Sequence, residues 1–443
     1  MREHKIRNEN RRSFLRKLFG GIAATTTFPW LIRDVQGIES RTNFNRVVTQ
    51  FKNSQSEIDE KFWDFVRRQF PLVDDLIYMN TGGLGPSPYS VIETIHSRTM
   101  NLEGISETGH EFVDGVRRKA SAFFNCGMDE IAFTRNATEG MNIIARGLPL
   151  KKGDEVLMTT HEHPGGAVPW LALAKDNGIR IKLFEPGMTQ EENLKIIAAN
   201  LSSRTKVLAI SHITCTTGLK FPSEEIARLC HDRDIIFVLD GAQVLGMIPV
   251  DFHQLGCDFY TSSGHKWLCG PKGTGILFIR QAMQDQWRPT HVGAYSEKIY
   301  KLEEQILEYQ KSASIIEYGT RNSALILGIG AALDFLDSIG MDHVERRGKE
   351  LALYFKEKLS SINKLEVLTP QDPDSHGSIV SFRILDQKRN HGDFVGQIKK
   401  DHNIRLRPVG EHGLNAIRAS FHIFNNFEQV DRLIEAIKKV TAS

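Results

Sequence analysis

A lysine among small and hydroxyl residues can serve as a nucleophilic amine if its surroundings favour the neutral form. The run Tyr260-Thr261-Ser262-Ser263-Gly264-His265-Lys266-Trp267-Leu268-Cys269-Gly270-Pro271 holds such a lysine. Alone, Lys266 would read as a solvated surface residue, but two other segments change that. Phe237-Val238-Leu239 ends in Asp240, placing a carboxylate at the end of an apolar strand, where it would project into a ligand crevice. Thr134-Arg135-Asn136-Ala137-Thr138-Glu139-Gly140 joins a strand to a helix, so backbone N–H groups and the Thr138 hydroxyl can hold a phosphate at a helix N-terminus. An amine that forms a Schiff base, a carboxylate that keeps a pyridine nitrogen protonated and a phosphate cradle are what pyridoxal 5′-phosphate (PLP) requires. Each residue also has a plain alternative, Asp240 as a helix cap and Thr138 as an N-cap.

The elements that would carry these groups alternate. Strand-like runs cover Ile77–Asn80, Glu130–Thr134, Glu155–Thr160, Arg180–Phe184, Lys206–His212, Ile235–Asp240 and Gly275–Ile279, with helical stretches between them. This predicts an α/β fold with a mostly parallel seven-stranded sheet covered on both faces. After Arg321 the pattern changes to two long helical stretches, Asn322–Ile339 and Met341–Ile362. Short strands and a closing amphipathic helix, Glu428–Val440, follow, which indicates a smaller α+β domain. The resulting division is a leader over 1–35, a linker over 36–56, an N-terminal helix within 57–75 packing on the small domain, a large domain over 76–315 and a small one over 316–443.

The 443 residues are 40% hydrophobic and 25% charged, the balance of a globular protein rather than a disordered one. A formal charge of +2 offers no field that would gather nucleic acid, which is excluded as a partner. The charge is uneven: residues 1–35 carry a net +5 and the remainder a net −3. Within the leader, Asn10-Arg11-Arg12-Ser13-Phe14-Leu15-Arg16-Lys17 resembles a twin-arginine export signal, with Asn10 where Ser or Thr is usual. The following Leu18–Ile32 stretch is short and rich in Thr and Gly, so no stable membrane span is expected. The resemblance implies passage through the twin-arginine machinery and a periplasmic or other extracytoplasmic enzyme. Five cysteines without a C-x-x-C pair indicate neither a disulfide framework nor a zinc ribbon.

With these motifs in this order, the stretch from Ile77 to Val440 resembles the class V aminotransferases of fold-type I, the group containing cysteine desulfurases, kynureninases and isopenicillin N epimerase-like proteins. The resemblance implies Lys266 as the Schiff-base lysine, Asp240 as partner of the pyridinium nitrogen, Gln243 as donor to the phenolic oxygen and His163 as the residue stacking on the ring. It places Thr138, Glu139 (through its backbone), Ser263 and His265 at the phosphate. Thr320, in Glu317-Tyr318-Gly319-Thr320-Arg321-Asn322, would reach the phosphate of a neighbouring subunit, which implies a homodimer with shared sites. Arg418 would grip the substrate carboxylate, Arg407 is a second candidate, and Asn80 lies in a substrate-side loop. Taken singly, His163 also reads as a buried core histidine and Arg418 as half of a surface ion pair.

Two departures narrow the chemistry. In His212-Ile213-Thr214-Cys215-Thr216-Thr217-Gly218, Cys215 stands where the desulfurases have an asparagine, leaving Thr214 or Thr217 as substitute partners of the phenolic oxygen. No cysteine follows Cys269, so the persulfide-forming residue of a desulfurase is missing between Pro408 and Ile417. The expected function is therefore PLP chemistry at or near the α-carbon of an amino-acid-like or peptide-like substrate, as transaminase, epimerase or lyase. Two alternatives are an exported metal hydrolase using His161 and His163 as an H-x-H pair on one face of a strand, and a binding protein that keeps the fold without catalysis.

Overall fold

The computed structural model describes residues 44, 48, 49, 59–385 and 390–442. The export signal expected over 1–35 lies outside them. Part of the span expected to be a linker does not behave as one. Phe44 and Val48 are helical and buried, and Phe44 stacks on Phe335 at 4.7 Å and on Phe65 at 5.7 Å. Residues four apart share a helix face, so this pair forms an apolar patch despite its polar surroundings.

Among the described residues the first strands are β1 (Ile77–Tyr78), β2 (Ile131–Thr134), β3 (Glu155–Thr159), β4 (Arg180–Phe184), β5 (Thr205–Ser211), β6 (Ile236–Asp240), β7 (Phe259–Ser263) and β8 (Gly275–Ile279). Strands β2 to β8 form a seven-stranded sheet in the order β2-β8-β7-β6-β5-β3-β4. β8 runs antiparallel to both its neighbours, and the other pairs are parallel. The central strands are apolar on both faces because both faces are covered. Val207, Ala209, Val238 and Phe259 enter one core, while Leu208, Ile210, Phe237, Leu239 and Tyr260 enter the other, the period-two alternation of a strand. Arg180 and Lys182 sit on β4, at the sheet edge, where charge discourages further pairing.

Seven strands were expected, but the set differs by one exchange. Phe259-Tyr260-Thr261-Ser262-Ser263 is a central strand whose hydroxyls disguise it, because its carboxyl end faces the ligand crevice and not a core. β1 leaves the large sheet and pairs in parallel with a short strand, Ile404–Arg405, labelled β13 below.

The later strands are the hairpin β9 (Glu297–Lys301) and β10 (Ile306–Tyr309), followed by β11 (Leu365–Val367), β12 (Ile379–Ile384), β13 (Ile404–Arg405), β14 (Arg407–Val409) and β15 (Ala416–Ser420). β11, β12, β15 and β14 form an antiparallel sheet in that order. Its core includes Phe382, Ile417 and Phe421 with Ile77 and Met79 of the β1 segment. Residues 77–80 thus pair with the C-terminal domain, into whose core Ile77 and Met79 point, while Tyr78 packs against the core of the large one. The N-terminal helix Glu60–Arg67 buries Phe62, Trp63 and Val66, and its Glu60 pairs with buried Arg347 of helix Met341–Ser360. Among the described residues no single helix is long and apolar enough to cross a membrane.

Candidate active site

Three parallel strands of the large sheet stop side by side, β5 at Ser211, β6 at Asp240 and β7 at Ser263. Their register pairs Ser211 with Asp240 and Asp240 with Thr261. Ligands collect at such carboxyl ends. Asp240 is buried there; its Oδ1 accepts the Ala242 N–H at 2.8 Å, and its Oδ2 takes no protein donor among the described residues. Burial pushes the carboxyl above the usual aspartate range, and nearby Lys266 pulls it back. A Cβ on Gly166 would come within 2.9 Å of Oδ2, so glycine is what lets helix Pro164–Asn177 start this close to the carboxylate.

Lys266 lies in the turn that follows β7. Burial holds its amine below the ordinary lysine value against the opposing pull of Asp240 and Cys215, and Arg418 and Arg407 push the same way as burial. The shift is toward the neutral, nucleophilic amine. The turn is clamped from outside: Gly85 N–H donates to His265 O at 2.7 Å, and a Cβ on Gly85 would sit 1.9 Å from Lys266 O. Gly85→Ala is therefore expected to displace the Lys266 backbone and cost roughly 1–3 kcal/mol, the range for overpacking. A thermal melt should show a lowered Tm, and the purified protein should retain less cofactor per chain.

Gln243 is buried and fully oriented: Nε2 donates to Gly82 O at 2.9 Å and Oε1 accepts Trp267 Nε1–H at 2.8 Å. One amide hydrogen remains for a ligand. His163 caps helix Pro164–Asn177, its Nδ1 accepting the Gly165 N–H at 3.0 Å, which places the ring proton on Nε2. Burial, with Lys266 and Arg407 nearby, pushes its pKa down to about 4, so the ring is neutral. At the start of helix Ala137–Gly147, the Ala137 N–H donates to Ser263 Oγ at 3.1 Å, and the Glu139 N–H donates to Asn136 Oδ1 at 2.9 Å. The Glu139 backbone, expected at the phosphate, is thus already engaged by the N-cap. The Thr138 N–H and hydroxyl are left without a protein acceptor among the described residues. His265 is neutral, pushed down to about 4 by burial beside Lys266, and its Nδ1 is buried without a partner.

Arg418 on β15 is the group expected to hold a carboxylate. It is 1% exposed; Nη1 donates to Cys215 O at 2.8 Å, Nη2 to Asn80 Oδ1 at 3.2 Å, and Nε is unpartnered. Burial, reinforced by Arg407 and only partly offset by Glu411, lowers its pKa to about 10, the mark of a buried cation with no carboxylate bonded to it. Asn80 reaches it because β1 runs into a parallel bridge between Asn80 and Ser420. Arg407 differs, being held by both oxygens of Glu411. Thr320 is exposed and stands apart from these groups. Its segment is anchored by Glu317, which accepts from Arg117 Nη1 at 2.9 Å and from the Phe133 N–H at 2.6 Å.

Other expected partners are occupied elsewhere. Thr214 and Thr217 bond to each other at 3.0 Å within their own turn. His161 and His163 follow the end of β3 and do not share a strand face. His161 is turned to Thr216 Oγ1 at 3.0 Å and Glu185 at 3.3 Å. Among the described residues no group of three His, Cys, Asp or Glu could hold a metal ion. Glu162 and Glu411 were not foreseen. Glu162 is buried close to Asp240, bonded by Thr159 Oγ1 at 2.7 Å, Ser211 Oγ at 2.7 Å and Ser211 N–H at 3.1 Å, and burial raises its pKa to about 7. The period-two pattern gave no sign of it, since it falls in a turn.

Residues 91–433 match the aminotransferase class-V family. The chain belongs to that family. A probable cysteine desulfurase of Pyrococcus abyssi is 28% identical over 400 residues, covering 85% of this chain and 97% of that protein. The apo structure of the cysteine desulfurase from Thermococcus onnurineus NA1 superposes with a TM-score of 0.79 at 25% identity, over 88% of this chain and 100% of that one. The cystine C–S lyase C-DES, solved with its product cysteine persulfide, and as a variant with glycine linked to its PLP cofactor, gives a TM-score of 0.77 at 27% identity, over 83% of this chain and 98% of that one. The thiols of the class-V chain described here are all poorly disposed to ionise. Cys215 is buried with its thiol pushed up to about 11. Burial raises Cys126 and Cys230 to about 12 and holds Cys257 and Cys269 higher still.

Proposed function

We propose that this class-V enzyme uses PLP, tethered to Lys266, to labilise a bond at the α-carbon of an α-amino-acid substrate held by Arg418. The observation that carries the reading is the unpaired polar set around Lys266: the free Asp240 oxygen, the unpartnered His265 Nδ1, the Thr138 N–H and hydroxyl and the remaining Gln243 hydrogen. These complement, in turn, a pyridinium N–H, a phosphate and a phenolic oxygen, so the residues fit the cofactor. When bound, PLP supplies an electron sink conjugated to the substrate α-carbon.

The chain's own groups do the rest. Asp240, in a dry setting, would favour a protonated pyridine nitrogen, and the neighbouring Glu162 carboxyl is pushed up to about 7 by burial, with Asp240 pushing the same way. His163, neutral and fixed by the Gly165 N–H, offers a flat face. Lys266 would take and return the α-proton at Nζ. Arg418 orients the substrate through its carboxylate, with Asn80 and the Cys215 carbonyl holding the guanidinium plane. A persulfide route through protein sulfur is disfavoured because a thiolate is required and every thiol here is buried or half-buried and protonated. A lyase or a transaminase that needs no protein thiol remains, and the C–S lyase relative favours the former.

The same reading includes a homodimer sharing its sites through Thr320, supported by that residue's exposure on an anchored segment, and export by the twin-arginine route, supported by the Arg11-Arg12 motif. The test is incubation of holoenzyme with free amino acids in deuterated water, after alkylation of accessible thiols. Exchange at the α-carbon, surviving alkylation, is the expected result. Exchange with no amino acid would reject the substrate class, and loss on alkylation would reject the thiol-free route.

A further inference from the structure

β14 and β15 place Arg407 directly opposite Arg418. Their side chains therefore share a face of the sheet, with Cβ atoms about 5 Å apart, and like charges in that register repel. The two are compensated differently. Arg407 is clasped by Glu411, Nη1 to Oε2 at 3.3 Å and Nη2 to Oε1, with only 23% and 13% of the two side chains exposed. Arg418 has only neutral partners, a carbonyl and an amide oxygen. Glu411 also acts electrostatically on His163, Cys215 and Arg418, which puts its carboxylate near all three.

A lone Arg418 accepts one substrate carboxylate. Two free arginines side by side would accept two carboxylates joined by a two- or three-carbon chain, each through a planar two-pronged contact. We propose that Glu411 is a built-in carboxylate that occupies Arg407 and so makes the site select α-amino acids with one carboxylate over dicarboxylic ones. The inference rests on the α-amino-acid reading above. Glu411 is only four residues from Arg407 along the chain, so it competes at high effective concentration. A side-chain carboxylate must displace it and meets its charge on approach, whereas a monocarboxylate uses Arg418 and leaves the pair intact.

The test compares isosteric pairs, L-aspartate with L-asparagine and L-glutamate with L-glutamine, by titrating holoenzyme and following the visible absorbance of the bound cofactor. Wild type is expected to favour the amides. In Glu411→Gln the acid-to-amide affinity ratio should rise at least about tenfold, the value of one charge-assisted contact. Glu411→Asp, which restores a carboxylate, should return most of the selectivity. In the double variant Glu411→Gln with Arg407→Gln the gain should vanish. An unchanged ratio in Glu411→Gln variants that retain cofactor absorbance would overturn the inference. So would a gain that persists without Arg407, because charge removal alone would then explain it. If wild type answers to no amino acid while retaining cofactor, the parent reading fails and takes this inference with it. If wild type answers to the amides and Glu411→Gln gains nothing, the inference alone fails.

Discussion

Lys266→Ala is expected to give a folded protein that holds PLP weakly and turns over at least about 10³-fold more slowly, because one side chain supplies both the covalent tether and the general base. The two losses separate experimentally. Borohydride treatment of wild type should fix the cofactor to the chain, adding its mass to the intact protein, whereas Lys266→Ala should show no added mass at any cofactor concentration. Added mass in the variant would mean that another amine carries the cofactor. Other lysines are poor substitutes: Lys266 has its amine buried beside a carboxylate, whereas Lys356, also lowered by burial, donates to the carbonyls of Pro370 and Gln371. An external primary amine should restore part of the α-proton exchange in the variant without restoring the mass adduct. A variant that had merely unfolded would show neither. The fold should survive, since the clamp on this turn is made by backbone atoms, Gly85 N–H to His265 O, and by Trp267, whose indole meets Gln243 and whose carbonyl meets His422 at 2.8 Å.

What could be read ahead of the structure follows from where each signal is stored. Asp240 and Lys266 were legible because local chemistry marks them, an acid ending an apolar strand and a lysine among small residues. β7 was not, because Thr261, Ser262 and Ser263 are buried polar residues satisfied by Ala137 O, Gly241 O and the Ala137 N–H. Their strand character depends on partners more than a hundred positions away for two of the three. Residues 77–80 read correctly as a strand but were given to the wrong sheet, since nothing in Ile77-Tyr78 announces pairing with Ile404-Arg405. That pairing is what delivers Asn80 to Arg418. Arg407 entered as a second carboxylate candidate from its run Ile404–Pro408, and its pairing with Glu411 stayed hidden because a four-residue spacing signals contact only inside a helix. The chain there forms a strand and a tight loop, and the pair closes across that loop instead.

Asp240→Asn tests the electronic half of the site with little change of shape. The amide can keep the Ala242 N–H bond through its oxygen, which leaves its NH₂ where the free Oδ2 would meet the pyridine nitrogen. A donor in that place stabilises the unprotonated nitrogen, the opposite of what an electron sink needs. Turnover is expected to fall about 10²- to 10⁴-fold, equivalent to roughly 2.7–5.5 kcal/mol of lost transition-state stabilisation. Amino-acid affinity, set at Arg418, should change far less, and the borohydride adduct at Lys266 should persist. A matching loss of affinity and rate would mean that Asp240 serves packing and not the ring. Glu162 sharpens the outcome. With Asp240 neutralised, the buried Glu162 loses the like charge that helps raise its pKa, so it should ionise at lower pH in the variant than in wild type. A carboxylate there, close to position 240, would recover part of the missing field. The rate deficit of Asp240→Asn is therefore expected to shrink as pH rises, with most of the recovery reached below the wild-type Glu162 value of about 7. In Asp240→Asn with Glu162→Gln it should stay flat across the same range. A deficit independent of pH in the single variant would place Glu162 in the scaffold of the β5 and β6 strand ends and outside the electrostatics of the cofactor.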